Sequence, residues 1–369
     1  MKKQIINIMV FILITLSLFN GCFVTKTNSS NIETEITEED QDWLIIGGQK
    51  VKNFEIPRIY DYYLKSEILD IKDILIHINP KNENITNSLE GIELLANLEG
   101  LGIIGYNLNL VDYSPLNNLQ KLREITLESG NTDKLTAIPD FSSLSSRESI
   151  KRFTLNKCML TNLNNIEHFP NLQFLDVYSN YGDLSDIKAI NQLKHLEELN
   201  LLSGNNSIIR VAEIIPLPKL KKLWLIGKLI DLNGIETLTA LEDIRFVKSE
   251  ILNMQSLSGL NNLKQLQIEI ENANPNINFL EKMINLEYLI LYANTDTWEI
   301  KTKTPYQILN LIALEKLYQL NYLELRGFII QNIWSVNNLN NISNIYAYDS
   351  ILFDDTETTI KNLIFYHRR

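Results

Sequence analysis

Residues 98–103 read Leu98-Glu99-Gly100-Leu101-Gly102-Ile103, and their order of apolar, two variable, apolar, one variable, apolar returns along most of the chain. It recurs at Leu122, Ile125, Leu127, at Ile150, Phe153, Leu155, at Leu172, Leu175, Val177 and at Leu196, Leu199, Leu201. Leu220, Leu223, Leu225 follow, then Leu241, Ile244, Phe246, then Leu263, Leu266, Ile268 and Leu286, Leu289, Leu291. Leu320, Leu323, Leu325 and Ile342, Ile345, Ala347 complete the run. Ile71, Ile74, Ile76 form a leading rung, and Ile360, Leu363, Phe365 a closing one. Eight of the twelve intervals between starts fall between 21 and 24 residues. Such a register places one short strand per unit on a common parallel sheet, with alternate residues turned inward. One unit cannot bury its apolar face alone, so neighbours must stack into a solenoid.

The period is that of a leucine-rich repeat. The expected fold class is therefore an α/β solenoid, a leucine-rich-repeat horseshoe with a parallel β-sheet on its concave face. Short 3-10, α or irregular segments should form the convex face. The linking segments carry a further resemblance. Leu89-Glu90-Gly91-Ile92-Glu93-Leu94-Leu95-Ala96-Asn97-Leu98 and Leu232-Asn233-Gly234-Ile235-Glu236-Thr237-Leu238-Thr239-Ala240-Leu241 resemble the repeat of bacterial internalin-type proteins. That resemblance covers residues 71–369 and implies a binding module that engages a protein or glycan. The Asn or Cys that this family places after each strand stands in phase only at Cys158, Asn180 and Asn294, which predicts irregular turns elsewhere. The interval from Leu286 to Leu320 is long, at 34 residues. It holds Pro305 followed by Ile308, Leu309, Leu311, Ile312, Leu314 and Leu317, a spacing that predicts a true helix on the convex side.

The first residues read differently. Met1, Lys2 and Lys3 precede an apolar run from Ile5 to Phe19, short for a bilayer span and normal for a signal-peptide core. The run ends in Leu18-Phe19-Asn20-Gly21-Cys22, which resembles a bacterial lipoprotein lipobox, with Phe19 and Asn20 where Leu and a small residue are usual. The resemblance implies that Cys22 is acylated and becomes the mature N-terminus. An ordinary signal peptide with an incidental cysteine is the plainer alternative. Thr25 to Asp42 is polar and poor in large apolar residues, which predicts a disordered tether. The expected organisation is a signal peptide over 1–21, a tether over 22–42, an N-terminal cap over 43–70 and repeats over 71–369. The cap is read from Ile45, Ile46, Phe54, Ile56, Ile59, Tyr60 and Tyr63, which are apolar but out of repeat phase. The expected location is the bacterial cell envelope, lipid-anchored, on the outer surface or facing the periplasm.

Composition excludes several classes. A net charge of −11 lacks the basic footprint that phosphate contacts need, so no nucleic-acid partner is expected. Two cysteines, Cys22 and Cys158, cannot supply a disulfide framework. Gly100-Leu101-Gly102-Ile103-Ile104-Gly105 matches the dinucleotide fingerprint in letters only, because Leu101 and Ile103 belong to a repeat strand and no phosphate-facing helix follows. His77, His168, His195 and His367 are scattered, although His168 and His195 lie one repeat apart and could approach each other. Asn294-Thr295-Asp296 and Asp354-Asp355 offer oxygen ligands without the spacing of a calcium loop. No nucleophile motif is present, so no catalytic residue, metal or cofactor is expected, and the chain is read as a monomer that is not an enzyme.

Residues between the inward leucines point outward on the concave face. Read in order they give Phe174, Asp176 and Tyr178, then Lys222 and Trp224 two rungs along. Tyr288 and Tyr292, then Tyr322, Glu324 and Arg326, then Tyr346 and Tyr348 come from three consecutive rungs, whose rings should lie side by side. Outward Tyr, Trp and Arg are the anchors that protein interfaces favour. The candidate ligand-binding residues are therefore Phe174, Tyr178, Trp224, Tyr288, Tyr292, Tyr322, Glu324, Arg326, Tyr346 and Tyr348. Aromatic residues also simply suit strands, which is the competing reading.

Overall fold

The computed structural model describes residues 45–46, 49–50, 71–78, 89–353 and 363–366, apart from 107, 131–134, 143, 146, 179–180, 204–205, 215–216, 247–248, 271–275, 294–306 and 343. Cys22, the signal peptide, the tether, Asn180, Asn294, Asp354-Asp355, His367 and most of the expected cap lie outside the described residues. All of the described residues belong to one compact unit, Asp42–Arg369.

Strands are numbered along the chain. β1 (Ile45–Ile46) and β2 (Gln49–Lys50) make an antiparallel pair, and Ile46 is buried within the repeat core. One parallel sheet of thirteen strands then runs in chain order. It comprises β3 (Asp73–Ile78), β4 (Gly100–Gly105), β5 (Glu124–Ser129), β6 (Arg152–Asn156), β7 (Phe174–Tyr178), β8 (Glu198–Leu202) and β10 (Lys222–Ile226). β12 (Asp243–Phe246), β14 (Gln265–Ile270), β15 (Tyr288–Ala293), β17 (Tyr322–Arg326), β19 (Ile345–Tyr348) and β21 (Leu363–Tyr366) complete it. Two three-stranded parallel sheets lie beside it. They are β9 (Ile208–Arg210), β11 (Leu229–Asp231) and β13 (Glu250–Leu252), and β16 (Gln307–Asn310), β18 (Phe328–Gln331) and β20 (Ile351–Leu352).

The repeat pattern and the strand register coincide. Leu175, Leu199, Leu223, Ile244, Leu266, Leu289 and Leu323 are paired in sequence across neighbouring strands and are buried to 1% or less. The residue two further on in each strand is buried likewise, so each rung adds two inward side chains to one continuous core. The 28-residue interval from Leu122 to Ile150 brings in Phe141. Its ring sits 4.8 Å from Tyr113, 5.9 Å from Phe153 and 5.1 Å from Phe169, which thickens the core there.

The convex side consists of 3-10 turns among the described residues, such as Ile92–Leu94, Lys188–Gln192, Met254–Gly259 and Ile333–Val336. Gly91 (φ 98°) and Gly234 (φ 86°) precede two of these turns in the left-handed region, where a side chain is strained. Those are the glycines of the two internalin-like segments. The helix expected after Pro305 does not form over the described part of that stretch. Gln307–Asn310 is a strand and Leu311–Leu314 a 3-10 turn. Two causes are visible. β16 pairs with β18 along its whole length, and extended Asn310 accepts the Ile312 N–H at 3.1 Å, starting a new turn.

Three ladders satisfy the backbone groups that irregular turns leave open. Buried serines serve after the strands: Ser203 accepts from Leu184 N at 3.2 Å and donates to Gly182 O at 3.1 Å. Ser249 accepts from Gly227 N, and Ser350 from Phe328 N. Asn171, Asn262, Asn285 and Asn341 each donate to a carbonyl of the preceding rung, at 2.7–3.0 Å. Asp112, Asp140, Asn162, Asp186, Asp231, Asn276 and Asn310 each accept the N–H two residues on. Outside the Asn and Cys positions, Ser203, Ser249 and Ser350 thus order the strand exits of three separate rungs.

Candidate functional site

Parallel register lays the outward residues in rows across the concave face. Tyr288 pairs with Tyr322, Tyr292 with Arg326, Glu324 with Tyr346 and Arg326 with Tyr348. The rings do lie side by side. Tyr288 and Tyr322 stack with centroids 4.2 Å apart and planes 6° from parallel, and Tyr346 lies 5.3 Å from Tyr322. Tyr348 stands 6.4 Å from Tyr346. The Arg326 guanidinium lies 5.1 Å from the Tyr292 ring centre and 4.7 Å from that of Tyr348.

Glu324 lies beneath this shelf and is only 3% exposed. It accepts the Tyr322 hydroxyl at 2.5 Å and pairs with Arg326 Nε. Gln267 Nε2 donates to the Tyr292 hydroxyl at 3.1 Å, and Asn344 Nδ2 to that of Tyr346 at 3.3 Å. Burial, then the Glu324 carboxylate, hold the Tyr322 phenol far above its ordinary value. Burial pushes Tyr292 up to about 12 and raises Tyr288 as well. These phenols therefore stay protonated at neutral pH, and the charge within the shelf is the clamped Glu324–Arg326 pair, with Arg245 near Tyr288 and Glu269 in register with Tyr292. Tyr288 and Tyr322 turn a face to one another, Tyr292 and Tyr348 turn theirs to Arg326, and the Tyr322 hydroxyl is turned onto Glu324.

A second cluster occupies β6 to β10. Asp176, 2% exposed, accepts from Arg152 Nη1 at 2.7 Å and Asn200 Nδ2 at 2.5 Å. Arg152 also lies 4.3 Å over the Phe174 ring. Glu198 binds Asn200 at 3.2 Å and Lys222 at 3.1 Å. Burial raises Asp176 above the usual carboxylate value, although Arg152 and Asn200 pull it back. Burial also lifts Tyr178, with Asp176 and Glu198 adding to it. Trp224 stands between Asn200 and Arg245 in register, half-buried, and its Nε1–H has no hydrogen-bond partner. Among the described residues no ring contact joins Trp224 to Phe174 or Tyr178, which lie two rungs away on β7.

The fold has solved counterparts. An internalin (inlF) from Listeria monocytogenes is 20% identical, with 84% of this chain and 92% of that one covered and a TM-score of 0.54. The fold is a leucine-rich-repeat solenoid. A leucine-rich-repeat protein of Leptospira interrogans also aligns, at 19% identity, 78% and 81% coverage and a TM-score of 0.43. The functional domain of InlJ from Listeria monocytogenes, which includes a cysteine ladder, aligns at 18% identity, 86% and 57% coverage and a TM-score of 0.44. No protein-family model matches the sequence, and no curated protein matches it.

The aromatic pattern leaves out the polar residues of the same face, of which Arg152 lies over Phe174 and Gln267 donates to Tyr292. Arg152, Glu198, Asn200, Asp243, Arg245 and Gln267 sit at the same variable positions of the repeat, and listing every outward residue by row would have found them. The concave carboxylates Asp176, Glu198, Asp243 and Glu324 each pair with a cation on the same or an adjacent strand. Cys158 is buried, with its Sγ 3.4 Å from Asn156 O, as packing at the ladder position requires. His168 lies 3.4 Å from Asp140, and His195 lies 3.0 Å from Lys219 Nζ. The fingerprint glycines Gly100, Gly102 and Gly105 all belong to β4.

Proposed function

We propose that this protein is a non-enzymatic recognition module of a bacterial envelope, tethered by a lipid on Cys22, that binds a protein through the tyrosine shelf of β15, β17 and β19. The observation that carries the reading is the stack Tyr288–Tyr322–Tyr346 with Arg326 clamped on Glu324. Rings already locked lose little conformational freedom on binding, which is how rigid aromatic anchors contribute affinity. A glycan is the less favoured ligand, because sugars stack on open ring faces and the stack of Tyr288 on Tyr322 already covers one face of each. The lipid anchor is supported by the run from Ile5 to Phe19 followed by Gly21-Cys22. A periplasm-facing scaffold would use the same shelf and differ only in which side of the envelope its partner occupies.

Two arms test the proposal. Envelope or host-cell extracts are passed over wild-type protein and over Tyr322→Ala/Tyr346→Ala. A protein retained by the wild type and lost from a folded variant supports the shelf, with about 2 kcal/mol or more expected for the pair if both are hot spots. Equal retention moves the site elsewhere. Proteinase treatment of intact cells, with a periplasmic control, then separates the surface orientation from the periplasmic one.

A further inference from the structure

Among the described residues, the strands of the flanking sheet β16–β18–β20 turn no charged side chain to the outside. Ile308, Ile329 and Ile351 stand in register as one outward row. Asn310 and Gln331 follow, and Phe353 continues past β20 with its N–H on Ile330 O. Ile312 and Trp334 extend the face into the next turns. The Trp334 Nε1–H donates to Asn332 Oδ1 at 3.2 Å, which sets the indole beside the Asn310–Asn332 amide pair. Ile312 and Trp334 are each 44% exposed, Ile351 41% and Phe353 58%. The sister sheet shows that this is not a demand of the architecture. β9, β11 and β13 carry Arg210, Asp231 and Glu250 on their outward side.

Exposed apolar patches of this kind mark contact surfaces. We infer that a second copy of this chain covers this one, in a two-fold dimer formed flank to flank. Each copy carries a charge of −11, so copies repel wherever charged surfaces meet. A two-fold contact sets a patch against itself, which an uncharged apolar surface tolerates and a surface of a single charge sign does not. Taking roughly 200 Å² per large side chain, the four exposed residues supply on the order of 400 Å² per copy. With Ile308, Ile329 and the amides the pair buries about 1,000 Å², the lower limit of a specific interface, so the dimer is weak and reversible. The sequence alone suggested a monomer. The flank contact leaves the concave face free, so a dimer offers two tyrosine shelves to a multivalent partner.

The test is crosslinking of the full chain in cells. Gln331→Cys places a thiol within the patch, and a short bis-maleimide should yield a band at twice the chain's mass, absent from wild type and from Thr126→Cys on the concave face. Ile351→Lys or Trp334→Glu, added to Gln331→Cys, should abolish the band, and both positions are exposed enough to leave the fold intact. Tyr322→Ala/Tyr346→Ala should leave it unchanged, which separates this contact from the ligand site. No dimer band with Gln331→Cys overturns the proposal and leaves the patch to residues 354–362 or to a different protein. A band that survives both charged substitutions overturns it as well.

Discussion

Replacing Glu324 by Gln removes one negative charge from beneath the tyrosine shelf with little change of volume. The carboxylate is 3% exposed, takes the Tyr322 hydroxyl at 2.5 Å and pairs with Arg326 Nε. An amide leaves one acceptor oxygen for two donors and turns an N–H2 group toward one of them. Removing one member of a fully buried pair costs about 3–5 kcal/mol. Arg326 is 40% exposed, so water recovers part of that loss. Charge-assisted hydrogen bonds are worth about 1.5–3 kcal/mol net, and about 2 kcal/mol is the expected destabilisation. With a urea slope of roughly 3 kcal/mol/M for a chain this long, the midpoint should fall by roughly 0.7 M. A second readout is independent of stability. Glu324 holds the Tyr322 proton in place, so without its charge that phenol should ionise at lower pH in an alkaline absorbance titration. Tyr322→Phe, which keeps the stack but lacks the donor, should show reduced sensitivity to the Glu324 change. A variant with the wild-type midpoint and the wild-type titration would refute the clamp, and with it the claim that the shelf is held rigid before any ligand arrives.

Three further outcomes follow from the same geometry. Ser350→Ala should cost about 1–3 kcal/mol in urea unfolding, because Phe328 N loses its acceptor in a fully buried place. Gly182→Ala should destabilise by about 1–3 kcal/mol, since a Cβ there would meet Leu160 O and Met159 C at 2.5 Å, both backbone atoms that cannot swing aside. Asp176 ionises in the fold above its unfolded value of 3.8, so the native state keeps its proton longer and the wild type loses stability as pH rises from 3.8 towards the folded value. Asp176→Asn lacks that term. The wild-type-minus-variant difference in unfolding free energy should therefore shrink with rising pH across that window in paired urea titrations, and a flat difference would show that Asp176 is not held in this way.

The fold was legible because its decisive signal is a repeat. Leu175 and Val177 bury against the equivalent residues of both neighbouring strands, so one rung's pattern states the pairing, register and core of the next. The tyrosine neighbours were legible for the same reason. What escaped was local and polar. The stretch after Pro305 carries a helix-like spacing, yet Asn310 and the partner strand β18 decide its conformation, and neither competes in a periodicity count. The serine ladder escaped because Ser203, Ser249 and Ser350 act from places the family fills with Asn or Cys, or near them, and a hydroxyl there looks like loop composition. The staple of Asn262, Asn285 and Asn341 had a signal that went unread, an Asn directly before the first apolar residue of the repeat. Glu324 was placed among the outward anchors, and it shares their face, where its neighbours leave it only 3% exposed.

Where the polar networks fall bears on what the rungs are for. A solenoid is stabilised rung by rung through nearest neighbours, and nothing in that logic asks for charge on the inner surface of the sheet. Buried ion pairs add little net stability, and well-packed apolar residues of the same volume often do as well or better. Yet Asp176 and Glu324 are each sunk to 3% exposure or less, and each is tied to an arginine that lies over an aromatic ring, Arg152 over Phe174 and Arg326 over Tyr348. Twice, then, a carboxylate below holds a guanidinium that in turn holds a ring in a fixed pose. Between them, Trp224 stands with its N–H unpartnered. A surface optimised for folding alone would not repeat so exacting an arrangement at two places and leave a donor open between them. Rings fixed in advance are what recognition requires, and the two networks mark where on the concave face that recognition should be sought.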